Sequence, residues 1–386
     1  MSKTVRFLTF SLVFLLLLPQ VLLNGSATEP LSVSAESAIL IDAARGEVLF
    51  EKNASEQMPM ASTTKIMTAL VALEQASPDL EIEISPQAVG IEGSSIYLVA
   101  GETLTLGELL SAVLLESAND AATAVAIALG GSVEGFAALM NEKARELGLE
   151  NTCFQNPHGL DDENHYTTAA ELAIIAKCAL ENEWILQTVS TRKMTIPHDG
   201  TDGVRLLVNH NKMLRFYDGA IGVKTGFTKK SGRCLVSAAE RNGVRLIAVT
   251  LNAPNDWNDH TALLDYGFSV RTSVTLCEAN EICLPLDVVG GTHSAVTVSN
   301  AQPLITSLPA DHATIQKTVE LPRFLYASVE TGEVVGYAVF RCDLDGDGSS
   351  EIIGKAPLTV QSGVEKKKTK KGLWQWICSL FDFLKR

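Results

Sequence analysis

A serine and a lysine, Ser62 and Lys65, stand three residues apart in the otherwise apolar stretch MPMASTTKIMTAL. On a helix that spacing is about one turn, so both side chains emerge on the same face. A serine hydroxyl is a weak nucleophile near neutral pH and needs a base within hydrogen-bond reach. A lysine amine is such a base only when neutral, and burial or a second nearby cation pushes it that way. Ser62 near a helix start also offers its own backbone N–H to a developing oxyanion. The bland alternative is an N-cap serine followed by a surface lysine. Ile66, Met67, Ala69, Leu70, Val71 and Leu73 count against it, because they leave little room for a solvated face.

Two further groups follow along the chain. ESAND places Ser117 and Asn119 at the end of an apolar run, and GVKTGFT places Lys224, Thr225, Gly226, Phe227 and Thr228 on a β-like segment. A lone Ser-x-x-Lys arises often by chance. The ordered set Ser-x-x-Lys, Ser-x-Asn and Lys-Thr-Gly is far more specific.

These residues need a scaffold. Ile39, Leu40 and Ile41, the turn ARGE, and then Val48 to Phe50 read as a β-hairpin. A helix starts at Ser62. Residues 104–181 read as mostly helical, with Thr105 as an N-cap, Gly130 and Gly131 as a stop, and Ser132 as the next cap. From Arg205 the period changes: VRLLVNHN, AIGVKTGF, RCLVSAAER and VRLIAVTLNA are short β-like runs, and DHTALLDYGFSV returns to helix. Strands, a helical block, then strands and a last helix predict one α+β domain whose early and late strands share a sheet. From residue 276 to 362 the helical period is gone, which predicts a smaller all-β domain.

The ends differ from the body. Lys3 and Arg6, the apolar run 7–23 and the small residues 25–27 read as a secretory signal covering 1–27. In 363–386, a lysine cluster precedes Leu373, Trp374, Ile377, Leu380, Phe381 and Leu384 at helical spacing. That is the pattern of a basic amphipathic helix lying in a membrane interface, too short to span it comfortably. Residues 28–275 and 276–362 are then the two folded domains. Formal net charge is −14, yet residues 365–386 hold seven basic and two acidic side chains. So acidic a body argues against a nucleic-acid partner. With 46% apolar residues the chain supports a sizeable core. The seven cysteines form no Cys-x-x-Cys, and being odd in number they leave at least one thiol unpaired in a monomer.

Other candidates rank lower. Asp343, Asp345, Asp347 and Gly348 match the start of a calcium loop, but Gly354 stands where a bidentate glutamate is wanted, so an exposed turn is the better reading. His158, His165, His210 and His260 have no partner at metal spacing and read as structural. NDWNDH, 255–260, is a further candidate for substrate contact.

The chain resembles the D-alanyl-D-alanine carboxypeptidases, the low-molecular-mass penicillin-binding proteins of serine peptidase S11 type. The three motifs carry the likeness, with Ala118 where the Ser-Asp-Asn motif has aspartate. NPHGLDDENHYTTAAELA, LVNHNKML and the order of signal, catalytic domain, β domain and anchor extend it over nearly the whole mature chain. The resemblance implies a serine β-lactamase-like α+β fold, with a helical lobe beside an antiparallel sheet. It implies that Ser62 attacks the carbonyl between the two terminal D-alanines of a peptidoglycan stem peptide. Lys65 takes its proton, Ser117 relays a proton to the leaving amine, and Asn119 bonds the peptide backbone. Lys224, Gly226, Thr225 and Thr228 receive the substrate, its carboxylate included, and the N–H groups of Ser62 and Phe227 form the oxyanion hole. No metal or other cofactor is implied. β-Lactam antibiotics are the implied covalent inhibitors, and the outer face of the cytoplasmic membrane the implied location. This fits the physics: two lysines near one hydroxyl resist both being charged, so one serves as base. A β-lactamase is the alternative enzyme, and a catalytically silent, membrane-tethered peptidoglycan-binding protein the alternative of another class.

Overall fold

The computed structural model describes residues 31–198, 203–344 and 346–368. The signal segment, residues 369–386 of the anchor and Asp345 of the calcium-like loop lie outside them.

The hairpin at the start of the chain forms, as strands Ser37–Asp42 and Glu47–Lys52. It joins late strands in a five-stranded sheet of order Glu47–Lys52, Ser37–Asp42, Val244–Leu251, Gly232–Arg241, Ala220–Thr228, antiparallel throughout. Both faces are covered. Ile39, Ile41, Val236, Ile247 and Val249 pack with the helical block in one apolar cluster. Leu40 and Leu246 point the other way and meet Gly267 of the helix Asp256–Val270. A Cβ on Gly267 would come within 2.5 Å of Leu246, so glycine lets this helix close on the sheet.

The helical block comprises Lys65–Gln75, Leu106–Leu115, Asn119–Gly130, Val133–Glu146, Ala169–Glu181 and Glu183–Ser190. Thr105 caps as expected, in a reciprocal capping box with Glu108, and Ser132 caps through the Gly135 N–H. Two departures from the sequence reading position the site. The run from Leu106 to Gly130 is not one helix but two, broken at Ser117, whose φ is +61°. Residues 147–168 carry no helix; they form a loop that wraps behind Lys65.

The run VRLLVNHN also differs from expectation. Its strand Gly203–Val208 pairs only with Lys193–His198, apart from the main sheet. Arg205 is the reason: it is buried and forks onto Glu102 through Nη2–Oε1 at 2.8 Å and Nη1–Oε2 at 2.9 Å, and donates to the Ile96 and Tyr97 carbonyls. A buried bidentate pair of this kind holds the hairpin to the loop around residue 97.

Beyond the last helix the regular elements among the described residues are all β strands. Arg271–Cys277 pairs with Leu304–Pro309, so this strand crosses the boundary read at 275/276. A six-stranded sheet runs Gln316–Glu320, Val334–Cys342, Glu351–Val360, Ala295–Ser299, Cys283–Val289, Leu325–Tyr326. Two small apolar clusters fill it, one around Phe340 and Leu358, the other around Val288 and Val298. Among the described residues no single helix is long and apolar enough to cross a membrane.

Candidate active site

Ser62 lies in a 3₁₀ turn, Ala61–Thr64, that leads into the helix Lys65–Gln75. The turn is tied down locally: Thr63 Oγ1 donates to the Met60 carbonyl at 2.6 Å, and Thr64 Oγ1 to the Ala61 carbonyl at 2.8 Å. Gly159 presses on it from the 147–168 loop; a Cβ there would lie 1.9 Å from the Ala61 carbonyl oxygen. His165 supports the same turn. Its Nδ1 accepts from the Gln155 N–H, so Nε2 holds the proton and donates to Thr64 Oγ1 at 2.7 Å. Burial pushes His165 down to about 4, which keeps it neutral in this role.

Lys65 is fully buried, and its Nζ has three partners: Ser62 Oγ at 3.0 Å, Asn119 Oδ1 at 2.7 Å and the His158 carbonyl at 2.6 Å. Asn119 Nδ2 donates to the Glu92 carbonyl at 2.6 Å, which fixes Oδ1 toward the lysine. Two of the three partners are therefore acceptors only. A neutral amine has two N–H groups and one lone pair. In a neutral Lys65 the N–H groups would go to Asn119 and His158, leaving the lone pair for the one partner that has a proton to give, Ser62. Burial lowers the Lys65 pKa well below 10.5, the Lys224 charge lowers it further, and Asp120 opposes both.

Ser117 occupies the left-handed region at the helix break, a conformation costing about 1–2 kcal/mol for a non-glycine residue. It is nearly buried yet lines the cleft with Ser62. Asp120, one residue after Asn119, accepts from Ser95 Oγ and from the Ile96 and Leu98 N–H groups. It thereby holds the loop behind Ser94 against the start of the Asn119–Gly130 helix.

Lys224 comes from the strand Ala220–Thr228, the outermost of the main sheet. It is buried and donates to the Thr225 carbonyl at 2.9 Å. Burial lowers it to about 7, with Glu116 opposing. Gly226 brings this strand against the nucleophile: a Cβ there would stand 3.0 Å from the Ser62 backbone N and 3.1 Å from the Ala61 Cβ.

The cleft itself is about 370 Å³ and is lined by Ser62, Ser117, Thr225, Gly226 and exposed Phe227 among the expected residues. Lys65, Asn119, Lys224 and Thr228 do not line it. Thr228 Oγ1 bonds Asp161 and Ser231 and builds the turn at the strand's end. Of the other liners, Asp256 and Trp257 fall in NDWNDH, read as a candidate for substrate contact, whereas Ser94, Lys212 and Arg233 were not read as site residues from the sequence. Arg233 pairs with Asp256 at 2.9 Å and lies 5.7 Å from the Trp257 ring, with Lys212 at 6.0 Å on the same ring. His210, read as structural, lines the cleft and meets Glu116 at 3.2 Å. His158 contributes its carbonyl rather than its ring. His260 is structural, held between Ser237 and Thr250. Only NDWNDH hinted at the Asp256–Trp257 wall. No group of ligating side chains suited to a metal ion occurs among the described residues.

A profile of the D-alanyl-D-alanine carboxypeptidase family matches residues 24–255. The chain belongs to this family. It is 33% identical over 353 residues to the carboxypeptidase DacF of Bacillus subtilis, covering 89% of each chain. To DacC of Escherichia coli it is 30% identical over 400 residues, covering 98% of this chain and 97% of that one. Among solved structures, penicillin binding protein 5 of Haemophilus influenzae superposes with a TM-score of 0.64 at 28% identity, over 87% of this chain and 99% of that one. The α+β fold expected from the motifs is that of this carboxypeptidase family, and neither alternative reading is favoured.

Proposed function

We propose that Ser62, Lys65 and Ser117 carry the chemistry of this serine-type D-alanyl-D-alanine carboxypeptidase, on peptidoglycan stem peptides ending in D-Ala-D-Ala. The Lys65 amine, 3.0 Å from Ser62 Oγ and held there by Asn119 Oδ1 and the His158 carbonyl, is the observation that supports this most. Ser62 Oγ attacks the carbonyl carbon of the penultimate D-alanine as its proton passes to Lys65. The N–H groups of Ser62 and Phe227 receive the oxyanion. As the C–N bond breaks, Ser117 passes a proton from Lys65 to the leaving amine, and free D-alanine departs. Water, deprotonated by Lys65, then attacks the acyl ester; the proton returns to Ser62 and the shortened peptide leaves. Penicillin acylates the same serine.

Lys224, charged when an anionic peptide end is bound, holds the site's positive potential, with Thr225 beside it. Asn119 acts through Lys65, as a positioning residue. Thr228 shapes the strand's end. Residues 28–275 form the catalytic domain and 276–362 a β domain between it and the cell envelope's membrane. Residues 363–368 are built into the β domain, with Val364 in its apolar cluster, so after signal removal it is the segment beyond Lys368 that rests in the outer face of that membrane.

One incubation tests the activity: a D-Ala-D-Ala-terminated peptide with the purified protein, following free D-alanine. Release that requires Ser62, and slow turnover of a penicilloyl adduct, are expected. Rapid turnover of penicillin without D-alanine release overturns the assignment.

A further inference from the structure

One edge of the six-stranded sheet carries a patch that the catalytic chemistry does not use. Phe324 and Tyr326 are exposed, two residues apart, with ring centroids 5.2 Å apart in an edge-to-face pair. Leu325 between them packs inward against the Val288 and Val298 cluster, so both rings stand on the outer face. Tyr326 is the register partner of Val289, which is also exposed.

The last described residues arrive at the same place. Lys366 bridges Gly291, and the Lys367 N–H donates to the Gly290 carbonyl at 2.8 Å. Lys366, Lys367, Lys368 and Arg323 are exposed in these segments, as are Asp287, Glu330 and Glu365. Lys370 and Lys371 follow in the sequence, then Leu373 and Trp374.

We propose that this sheet edge rests directly on the membrane, with Phe324, Tyr326 and Val289 entering the headgroup layer and the lysines facing anionic phospholipid. The proposal rests on the reading of the C-terminal segment as an interfacial helix. From Lys368 to Leu373 is five residues, at most about 17 Å of extended chain. An anchor beginning at Leu373 therefore keeps Lys368, at the end of this sheet edge, within that distance of the bilayer. Exposed tyrosine beside lysine is the composition that an interface selects.

Vesicle co-sedimentation of the mature full-length protein tests it, using phosphatidylcholine vesicles with and without phosphatidylglycerol. The variant Phe324→Ser/Tyr326→Ser changes only exposed side chains and is expected to keep its melting temperature and D-alanine release. Its binding to anionic vesicles should fall about tenfold. A chain ending at Lys368 should bind far more weakly still, and in a salt-sensitive way. Unchanged binding of the double variant, with loss on truncation, overturns the patch and spares the anchor. Equal binding of truncated and full chains overturns the anchor reading. Tighter binding of the double variant also overturns the patch, because it shows that the tail docks on these rings instead of the membrane.

Discussion

Around Ser62 the protein interior holds Lys65, Lys224, Asn119, Asp120 and His165 among apolar side chains. Among the described residues after Arg271 no charged side chain is buried, and the six-stranded sheet is instead filled by Leu286, Val298, Phe340, Leu358 and their like. The first region also keeps Ala61 and Ser117 at positive φ. Buried charge costs several kcal/mol per ion unless it is partnered or neutralised. A region that accepts both buried amines and strained backbone is one that folding stability alone would not select. The contrast separates a part built to react from a part built to hold position.

The comparison breaks first, if it breaks, at the nucleophile. Ser62→Ala should lower D-alanine release by about 10⁵-fold or more and abolish covalent penicillin labelling, with circular dichroism unchanged. Labelling retained at another residue would reassign the site. Next comes the base: Lys65→Met should slow acylation by about 10³- to 10⁴-fold while removing a buried amine, so the melting temperature should hold or rise. The β region should answer in the opposite currency. Phe340→Ala empties a packed cluster and should cost about 3–5 kcal/mol in denaturant unfolding, yet leave kcat on a soluble peptide near the wild-type value.

These expectations also mark what was legible in sequence. Ser62 and Lys65 could be paired on paper because three residues make about a helical turn, and Ser117 and Lys224 because their motifs follow in order. That the first hairpin shares a sheet with late strands followed from the order of elements, though not that its neighbour there is Val244–Leu251. What stayed hidden was non-local. Asn119 serves Lys65 through an amide oriented by Glu92, and His158 serves it through a backbone carbonyl, which no side-chain pattern reveals. Arg233 and Asp256 come from different elements and meet only once the sheet and last helix are packed. The Leu- and Ala-rich run from 106 to 130 looks continuous, since nothing in a helical period signals a serine in the left-handed region.

Smaller effects sharpen the same contrast. Asn119→Ala should lower kcat about 100-fold by releasing Lys65 from its orientation, and KM should change little. The acid limb of the pH profile should move with it, which a merely structural loss would not do. Lys224 is lowered to about 7 by burial, so below that pH it is charged and above it the free enzyme loses the charge. The alkaline side of kcat/KM should reflect that loss, and Lys224→Arg, which stays charged, should flatten it where it folds.

The strand that carries Lys224 is the outermost of its sheet. An edge strand is ordinarily a hazard, since its free backbone groups recruit other chains. Here the Ser62 turn stands over that edge, close enough that Gly226 has no room for a side chain. A feature that in most proteins invites aggregation is here overhung by the turn that carries the nucleophile.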